Sequence, residues 1–165
     1  MCCFTGKRHH LRPTRGFRAF KLWFDPVGRC ELTGRHHGQY TYVPGDRDAA
    51  GWWHTDAPAP ENPFGFYAYT RLVRAGRPST YAPITAVVEL RGTAIAGRKK
   101  ATGFAPAEPA GFRAAELRLV RLIVHKRYLL PWRTLATGLP ISAAQVAASL
   151  RAQYGVPTRI EHRKK

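Results

Sequence analysis

Hydrophobic and polar residues alternate with a period of two along several short stretches of this chain, and that period is typical of β-strands. In one of them, for example, Tyr67 and Tyr69 would face the side of the strand opposite to Ala68. The last stretch changes phase, and a bulge near Val120 would reconcile its two registers. Strands are predicted over residues 17–24, 29–33, 39–43, 64–73, 84–90 and 112–124.

One segment near the C-terminus has the signals of a helix instead. Ser142 is a predicted N-cap, and Gln145 completes a capping box with it. Gly155 suits the left-handed residue that ends many helices. The pattern predicts a helix over 142–154, and the chain as a whole an α+β, β-rich fold: a curled antiparallel sheet or a small open barrel with one C-terminal helix packed on it.

The chain has 165 residues, which suits one domain. Residues 1–16 contain Pro, Gly and basic residues and predict a flexible basic arm. A single β-rich domain is predicted over 17–160, followed by a basic tail over 161–165. Within the domain, residues 44–63 hold several prolines and four of the ten acidic residues, which predicts a long loop of a length that is often functional.

Charge is the outlying feature of the composition. Lys and Arg number 27 against 10 Asp and Glu, which gives a net charge of +17. Such an excess attracts nucleic acid or another polyanion, or an acidic protein partner. Arg makes up 20 of the 27 cations, as codon bias in a GC-rich genome would produce, but that bias does not explain the shortage of acidic residues.

The cysteines and the lengths of the apolar segments indicate in which cellular compartment the protein is expected. Cys2, Cys3 and Cys30 are an odd number with an adjacent pair, which does not describe a disulfide framework and favours a reducing, cytoplasmic location. No run of 18 apolar residues predicts a membrane span. Cys2 and Cys3 with His9 and His10 could form a zinc site, but adjacent cysteines reach one ion poorly, so no metal and no cofactor is predicted.

The triplet Trp52-Trp53-His54 lies in the long predicted loop. Neighbouring residues of an extended chain point in opposite directions, so we expect one of the two indole rings to be exposed, where a nucleobase could stack on it. The alternative is that one ring covers the end of the sheet and the other packs on the prolines of the loop. Basic residues at strand ends and in loops could converge beside this triplet and neutralise phosphates: Arg71, Arg74, Arg77, Arg91, Arg98, Lys99 and Lys100.

No nucleophile with a base, pair of carboxylates or phosphate-binding glycine loop occurs at a diagnostic spacing. His54, Asp56 and Glu61 are the one group of acid and base types on the long loop. No catalytic residue is therefore assigned.

Several short motifs, distributed from Gly16 to Pro157, resemble a group of uncharacterised small proteins of actinobacteria and of the phages that infect them. The group often has a Cys-x-Cys-Gly pattern, but Asn62 and Phe64 occupy the two cysteine positions here, so a metal site is not implied. The matching motifs are Gly16-Phe17-Arg18-Ala19-Phe20, Val43-Pro44-Gly45, His54 to Pro60, Gly65-Phe66-Tyr67-Ala68, Val87 to Gly92, Gly111 to Glu116 and Tyr154-Gly155-Val156-Pro157.

Three functions remain open from the sequence. The first is a non-enzymatic nucleic-acid-binding or regulatory protein, phage-encoded in keeping with the resemblance, that acts through a basic surface. The second is a protein-interaction module that binds an acidic host partner through the aromatic loop 44–63. The third is a small enzyme that uses the loop around His54.

Overall fold

The computed structural model describes residues 6–25, 27–34, 41–59, 64–71, 78–98, 110–133 and 138–162. Within these ranges the chain forms eight strands, two α-helices and one short 3-10 helix over Pro44–Asp46. The strands are β1 Arg8–Phe24, β2 Cys30–Thr33, β3 Thr41–Tyr42, β4 Trp52–His54, β5 Phe66–Tyr69, β6 Ile84–Arg98, β7 Ala110–His125 and β8 Thr158–Glu161. The helices are α1 Lys126–Leu129 and α2 Ala143–Tyr154.

The strands pair in the order β3-β2-β1-β5-β7-β4, while β6 pairs with β1 and β7 and β8 pairs with β7. β1–β2, β2–β3, β1–β5, β5–β7 and β4–β7 are antiparallel, whereas β7–β8 is parallel. The predicted β-rich fold with a C-terminal helix is confirmed, and the parallel β7–β8 pair makes the sheet mixed. A parallel neighbour needs a crossover connection, and α2 lies in the segment that joins these two strands.

The chain divides into two compact units. The first comprises Met1–Arg18, Arg47–Arg77 and Val87–Leu119, and the second comprises Ala19–Asp46, Pro78–Ala86 and Val120–Lys165. One domain over residues 17–160 stays a prediction.

In the first unit, strands β4 to β7 supply the core. Trp53 is opposite Leu117 in the β4–β7 register, and both are fully buried. Large side chains on a short strand remove much apolar area from water, which stabilises the unit at about 25 cal/mol per Å². The other buried hydrophobic residues of the unit include Trp52, Phe66, Ala68, Tyr69, Leu90, Ala94, Ile95 and Ala114.

In the second unit, helix α2 packs against β2 and β8. The Tyr154 hydroxyl accepts a hydrogen bond from the Leu32 amide at 2.7 Å and donates one to the Tyr42 carbonyl at 2.8 Å. The predicted caps of α2 are confirmed: Ser142 accepts from the Gln145 amide at 3.4 Å, and Gly155 has φ +64°.

Three predicted boundaries are wrong. Residues 8–16, predicted as part of a flexible arm, belong to β1, and β1 pairs with β6, a neighbour that can satisfy strand backbone groups. Gly6 lies so close to the Ala96 carbonyl oxygen that a Cβ would collide with it. The predicted loop 44–63 contains β4, and β6 continues to Arg98 instead of ending at Leu90. Part of the predicted tail, Arg163–Lys165, lies outside the described residues.

Candidate nucleic-acid interface

The Trp52-Trp53 pair is buried, contrary to the expectation that one indole ring is exposed. Trp52 is 2% exposed and Trp53 is fully buried. Consecutive residues of β4 face opposite sides, so both sides of this strand are covered. The guanidinium carbons of Arg91 and Arg118 lie 4.0 and 4.8 Å from the Trp52 ring centroid. Neither ring is open for a base to stack on it. Binding of an acidic partner through the loop 44–63 stays a prediction.

Asp48 organises the turn that leads into β4. Its Oδ1 accepts hydrogen bonds from the Ala50 amide at 2.9 Å and the Trp52 amide at 3.0 Å. Its Oδ2 lies 2.8 Å from His54 Nε2. The Trp52 amide, followed by His54, holds the pKa of Asp48 below its usual value. The carboxylate therefore stays charged and aligns the start of the strand.

Ion pairs surround Trp52. Arg91 Nε donates to Glu116 at 2.5 Å, and Arg118 Nη2 donates to Glu89 at 2.5 Å. Each pair orients one guanidinium group against the indole, so the acids position the cations that cover the ring. Arg91, predicted to bind phosphate, is thus held by a carboxylate and an aromatic ring.

His54 is the one predicted site residue with acid–base chemistry. Its Nε2 faces Asp48, and its Nδ1 lies 3.9 Å from Glu116 Oε2, while the side chain is 49% exposed. The Nε2 contact is within hydrogen-bond distance, whereas the Nδ1 contact is not. The contact with Asp48 links His54 to the turn that leads into β4.

Of the predicted basic residues, the described part of the chain places Arg91 beside a tryptophan, at the Trp52 ring. Arg71 is exposed. Arg98 ends β6, but its side chain lies outside the described residues. The other predicted residues of this set lie wholly outside the described residues, and their convergence stays a prediction: Arg74, Arg77, Lys99 and Lys100.

The first half of β1 carries basic residues that the sequence did not single out as site residues. Arg8, His10 and Arg12 are exposed and alternate with His9 and Leu11. Leu11 is buried, and Arg8, His10 and Arg12 lie on the side of the strand opposite to it. His9 and Pro13 are exposed as well, although the His9 ring lies 6.3 Å from that of Phe112. Side chains two residues apart on a strand are separated by about 7 Å. We call Arg8, His10 and Arg12 the β1 basic face.

Arg8 and Arg12 differ from Arg15, Arg91 and Arg118 of the first unit, each of which is paired with a glutamate. Among the described residues, neither of them is paired with a carboxylate. The sequence held a signal for this face, because no acidic residue occurs before Asp25. The interpretation of this stretch as a flexible arm hid the regular spacing of its cations.

Two other arginines of the first unit are interior. Arg113 is 1% exposed and donates to the carbonyl oxygens of Phe64 at 2.9 Å and Ala59 at 2.7 Å. Arg18 is buried with its guanidinium carbon 4.2 Å from the Tyr67 ring centroid. These side chains brace the fold and are not available to a ligand.

The second unit contains a buried histidine that the sequence did not single out. His125 Nε2 lies 2.9 Å from the Thr85 hydroxyl, and Nδ1 lies 2.5 Å from Glu161. Burial lowers the pKa of His125 more than Glu161 raises it. Thr85 is itself buried, so its hydroxyl is not open to a substrate, and the three side chains join β6, β7 and β8 by hydrogen bonds.

Of the three cysteines, the structure describes Cys30, and it describes both histidines of the considered zinc site. Cys30 is buried with a free thiol, and burial raises the pKa of that thiol. Cys2 and Cys3 lie outside the described residues, and His9 and His10 are exposed. Across the described ranges, no group of three or more His, Cys, Asp or Glu side chains is arranged to hold a metal ion.

No helix in the described part of the chain is both long and apolar enough to cross a membrane.

Models of protein families, curated proteins and solved structures show no significant match to this chain. The resemblance to small actinobacterial and phage proteins stays a prediction.

Proposed function

We propose that this protein binds nucleic acid through the phosphate backbone, that it is not an enzyme, and that the β1 basic face is a principal contact. The observation that carries this proposal is the exposure of Arg8, His10 and Arg12 on one side of a strand, with neither arginine held by a carboxylate among the described residues. Each of the two arginines releases counterions when it neutralises a phosphate.

The difference between arginines that are paired with carboxylates and those that are not supports this proposal. Arg91 and Arg118 are engaged by Glu116 and Glu89, and their positions serve the packing of Trp52. Solubility alone does not require exposed arginines without carboxylate partners at regular spacing on a strand. The regular spacing gives a polyanion successive contacts along one extended element.

The test is binding of labelled DNA and RNA, measured by fluorescence anisotropy from about 50 to about 200 mM salt. The wild-type protein should bind at low salt, with log Kd linear in log salt concentration. Arg8→Ala/Arg12→Ala should weaken binding of every sequence and reduce the slope by about 2, since each lost phosphate contact reduces it by about 1.

The matched control is Arg121→Ala/Lys126→Ala. Both residues are exposed, and the double variant loses the same charge at another place. If the two double variants lose affinity equally, the binding depends on net charge and not on the β1 basic face. Absence of DNA and RNA binding by the wild type at low salt would remove the proposed function.

A further inference from the structure

The second unit exposes a tryptophan on a regular strand. Trp23 is 60% exposed, although indole is the largest apolar side chain and is highly buried in most proteins. Exposed tryptophans supply large, rigid contact area with few rotatable bonds, and they are enriched where proteins bind ligands or partners. Trp52 and Trp53 are buried and Trp132 is half-buried, so Trp23 is the described indole with the largest exposed fraction.

The pairing of β1 with β2 fixes the direction of this side chain. Leu22 is opposite Leu32 in the register, and both are buried. Because side chains alternate along a strand, Lys21 and Trp23 must point to the other side of the sheet. Trp23 therefore stands on a rigid element and not on a loop.

A second aromatic ring lies beside Lys21. Tyr81 is 51% exposed. The Lys21 ammonium lies 3.7 Å from the centroid of its ring and donates a hydrogen bond to its hydroxyl. Lys21 is thus flanked by Tyr81 through direct contact and by Trp23 two positions along the strand. We call Lys21, Trp23 and Tyr81 the Trp23 face.

We infer that the Trp23 face binds single-stranded nucleic acid, with a base stacked on the Trp23 indole and a neighbouring phosphate at Lys21. This inference rests on the proposed function and names its substrate class. Bases in a duplex are already stacked on each other, whereas bases of a single strand can stack on an exposed ring. Aromatic rings interleaved with cations are the usual platform for this binding.

The charge of the second unit favours a nucleic acid over an apolar protein surface. Glu31 is opposite Trp23 and Thr33 is opposite Lys21 in the register, so the cross-strand neighbours of both residues are polar. The second unit as a whole has 12 Lys and Arg against 4 Asp and Glu. The Glu31 carboxylate does not attract phosphate, but it can accept a hydrogen bond from the amino group of a base.

The experiment compares Trp23→Ala and Trp23→Phe with the wild type on one labelled oligonucleotide, used as a single strand and as a duplex. We expect Trp23→Ala to weaken single-strand binding by about 5- to 150-fold, the fold-change for one stacked base, and to change duplex binding by less than about 2-fold. Trp23→Phe should retain most of the affinity because it keeps a ring. Val27→Ala is the matched control, since Val27 is exposed and apolar but has no ring.

A second readout follows the indole directly. Single-stranded DNA should quench part of the tryptophan fluorescence of the wild type, and the quenching should disappear in Trp23→Phe. Circular dichroism and thermal melting of both variants should match the wild type because Trp23 contributes little to the core.

The outcomes separate this inference from the proposed function. If the wild type binds DNA in a salt-dependent way but Trp23→Ala binds single strands and duplexes as the wild type does, the Trp23 face is not the base contact and the proposed function stands. Equal losses on both substrates would also overturn base stacking. If Trp23→Ala instead abolishes capture of an acidic protein after nuclease treatment and leaves single-strand binding intact, the face is a protein contact.

Discussion

At the scale of single residues, the surroundings of a side chain decide what it does in this protein. Arg113 is interior and binds carbonyl oxygens, Arg91 covers an indole, and Arg8 is exposed on a strand. All three have the same guanidinium group, which is charged at any ordinary pH. A count of arginines therefore predicts a field around the protein but not the residues that contact a ligand.

The Cys30 thiol should be unreactive in the folded protein. Burial raises its pKa, so less of the reactive thiolate is present at neutral pH and the sulfur is also inaccessible. In a Cys2→Ser/Cys3→Ser variant, a thiol reagent should label Cys30 slowly without denaturant and rapidly in guanidinium chloride. Rapid labelling of the native protein would contradict the burial of Cys30.

His125 should make the free energy of unfolding depend on pH. Its pKa is lowered in the folded state, so the unfolded chain takes up the proton first as the pH falls. The stability is fully present above the unfolded pKa of about 6.5 and is lost as the pH falls toward the lowered folded pKa. Glu161 and the nearby Arg127 and Arg159 act on the same ring, but burial is the largest cause.

The check is urea unfolding of the wild type and of His125→Asn between about pH 7.5 and 5, a range around the ordinary histidine pKa. The variant should lose the part of the pH dependence that falls below about pH 6.5. An unchanged pH profile in the variant would assign that dependence to other groups.

At the scale of elements, α2 shows how local signals and one long-range contact act together. Ser142 and Gly155 set the two ends of the helix, and both are visible in the sequence because caps depend on neighbouring residues only. The hydroxyl of Tyr154 joins the helix to β2 and β3 through Leu32 and Tyr42. No pattern of neighbouring residues predicts these two hydrogen bonds.

Tyr154→Phe should lower the free energy of unfolding by about 1–3 kcal/mol, because the buried Leu32 amide loses its hydroxyl acceptor. Tyr81→Phe is the matched control, since its hydroxyl is on an exposed ring and its loss should cost less than about 0.5 kcal/mol. Guanidinium unfolding of both variants measures the difference. Equal stability of the two would show that the Tyr154 hydrogen bonds contribute nothing net.

At the scale of the whole molecule, the charge excess is distributed over both units. The first unit has 15 Lys and Arg against 6 Asp and Glu, and the second has 12 against 4. Mutual repulsion among so many cations opposes folding, and salt screens it. The ion pairs around Trp52 are few by comparison, so we expect repulsion to dominate.

The midpoint of thermal unfolding should therefore rise as salt increases from about 20 to about 200 mM, a range in which the screening length falls from about 20 Å to about 7 Å. A short polyphosphate should raise it further at constant ionic strength, because a ligand that binds only the folded state stabilises that state. Scanning fluorimetry measures both effects. A midpoint that falls with salt would show that attractive pairs outweigh the repulsion.

The sequence by itself determined the features that depend on neighbouring residues. The period of two placed most of the strands, the residues around Ser142 and Gly155 placed α2, and the composition set the charge. These features are local or additive, so no knowledge of distant contacts is needed to obtain them.

Only the tertiary structure decided which side chains are available. It buried Trp52 and Trp53 by covering both sides of β4, left Trp23 exposed on a paired strand, and ordered residues 8–16 through pairing with β6. The exposure of a side chain depends on which strands are neighbours in the sheet, and that pairing joins residues that are far apart in the chain. The physical reason is that the alternation of hydrophobic and polar residues shows which side chains share a side of a strand, but it does not show which side other elements cover.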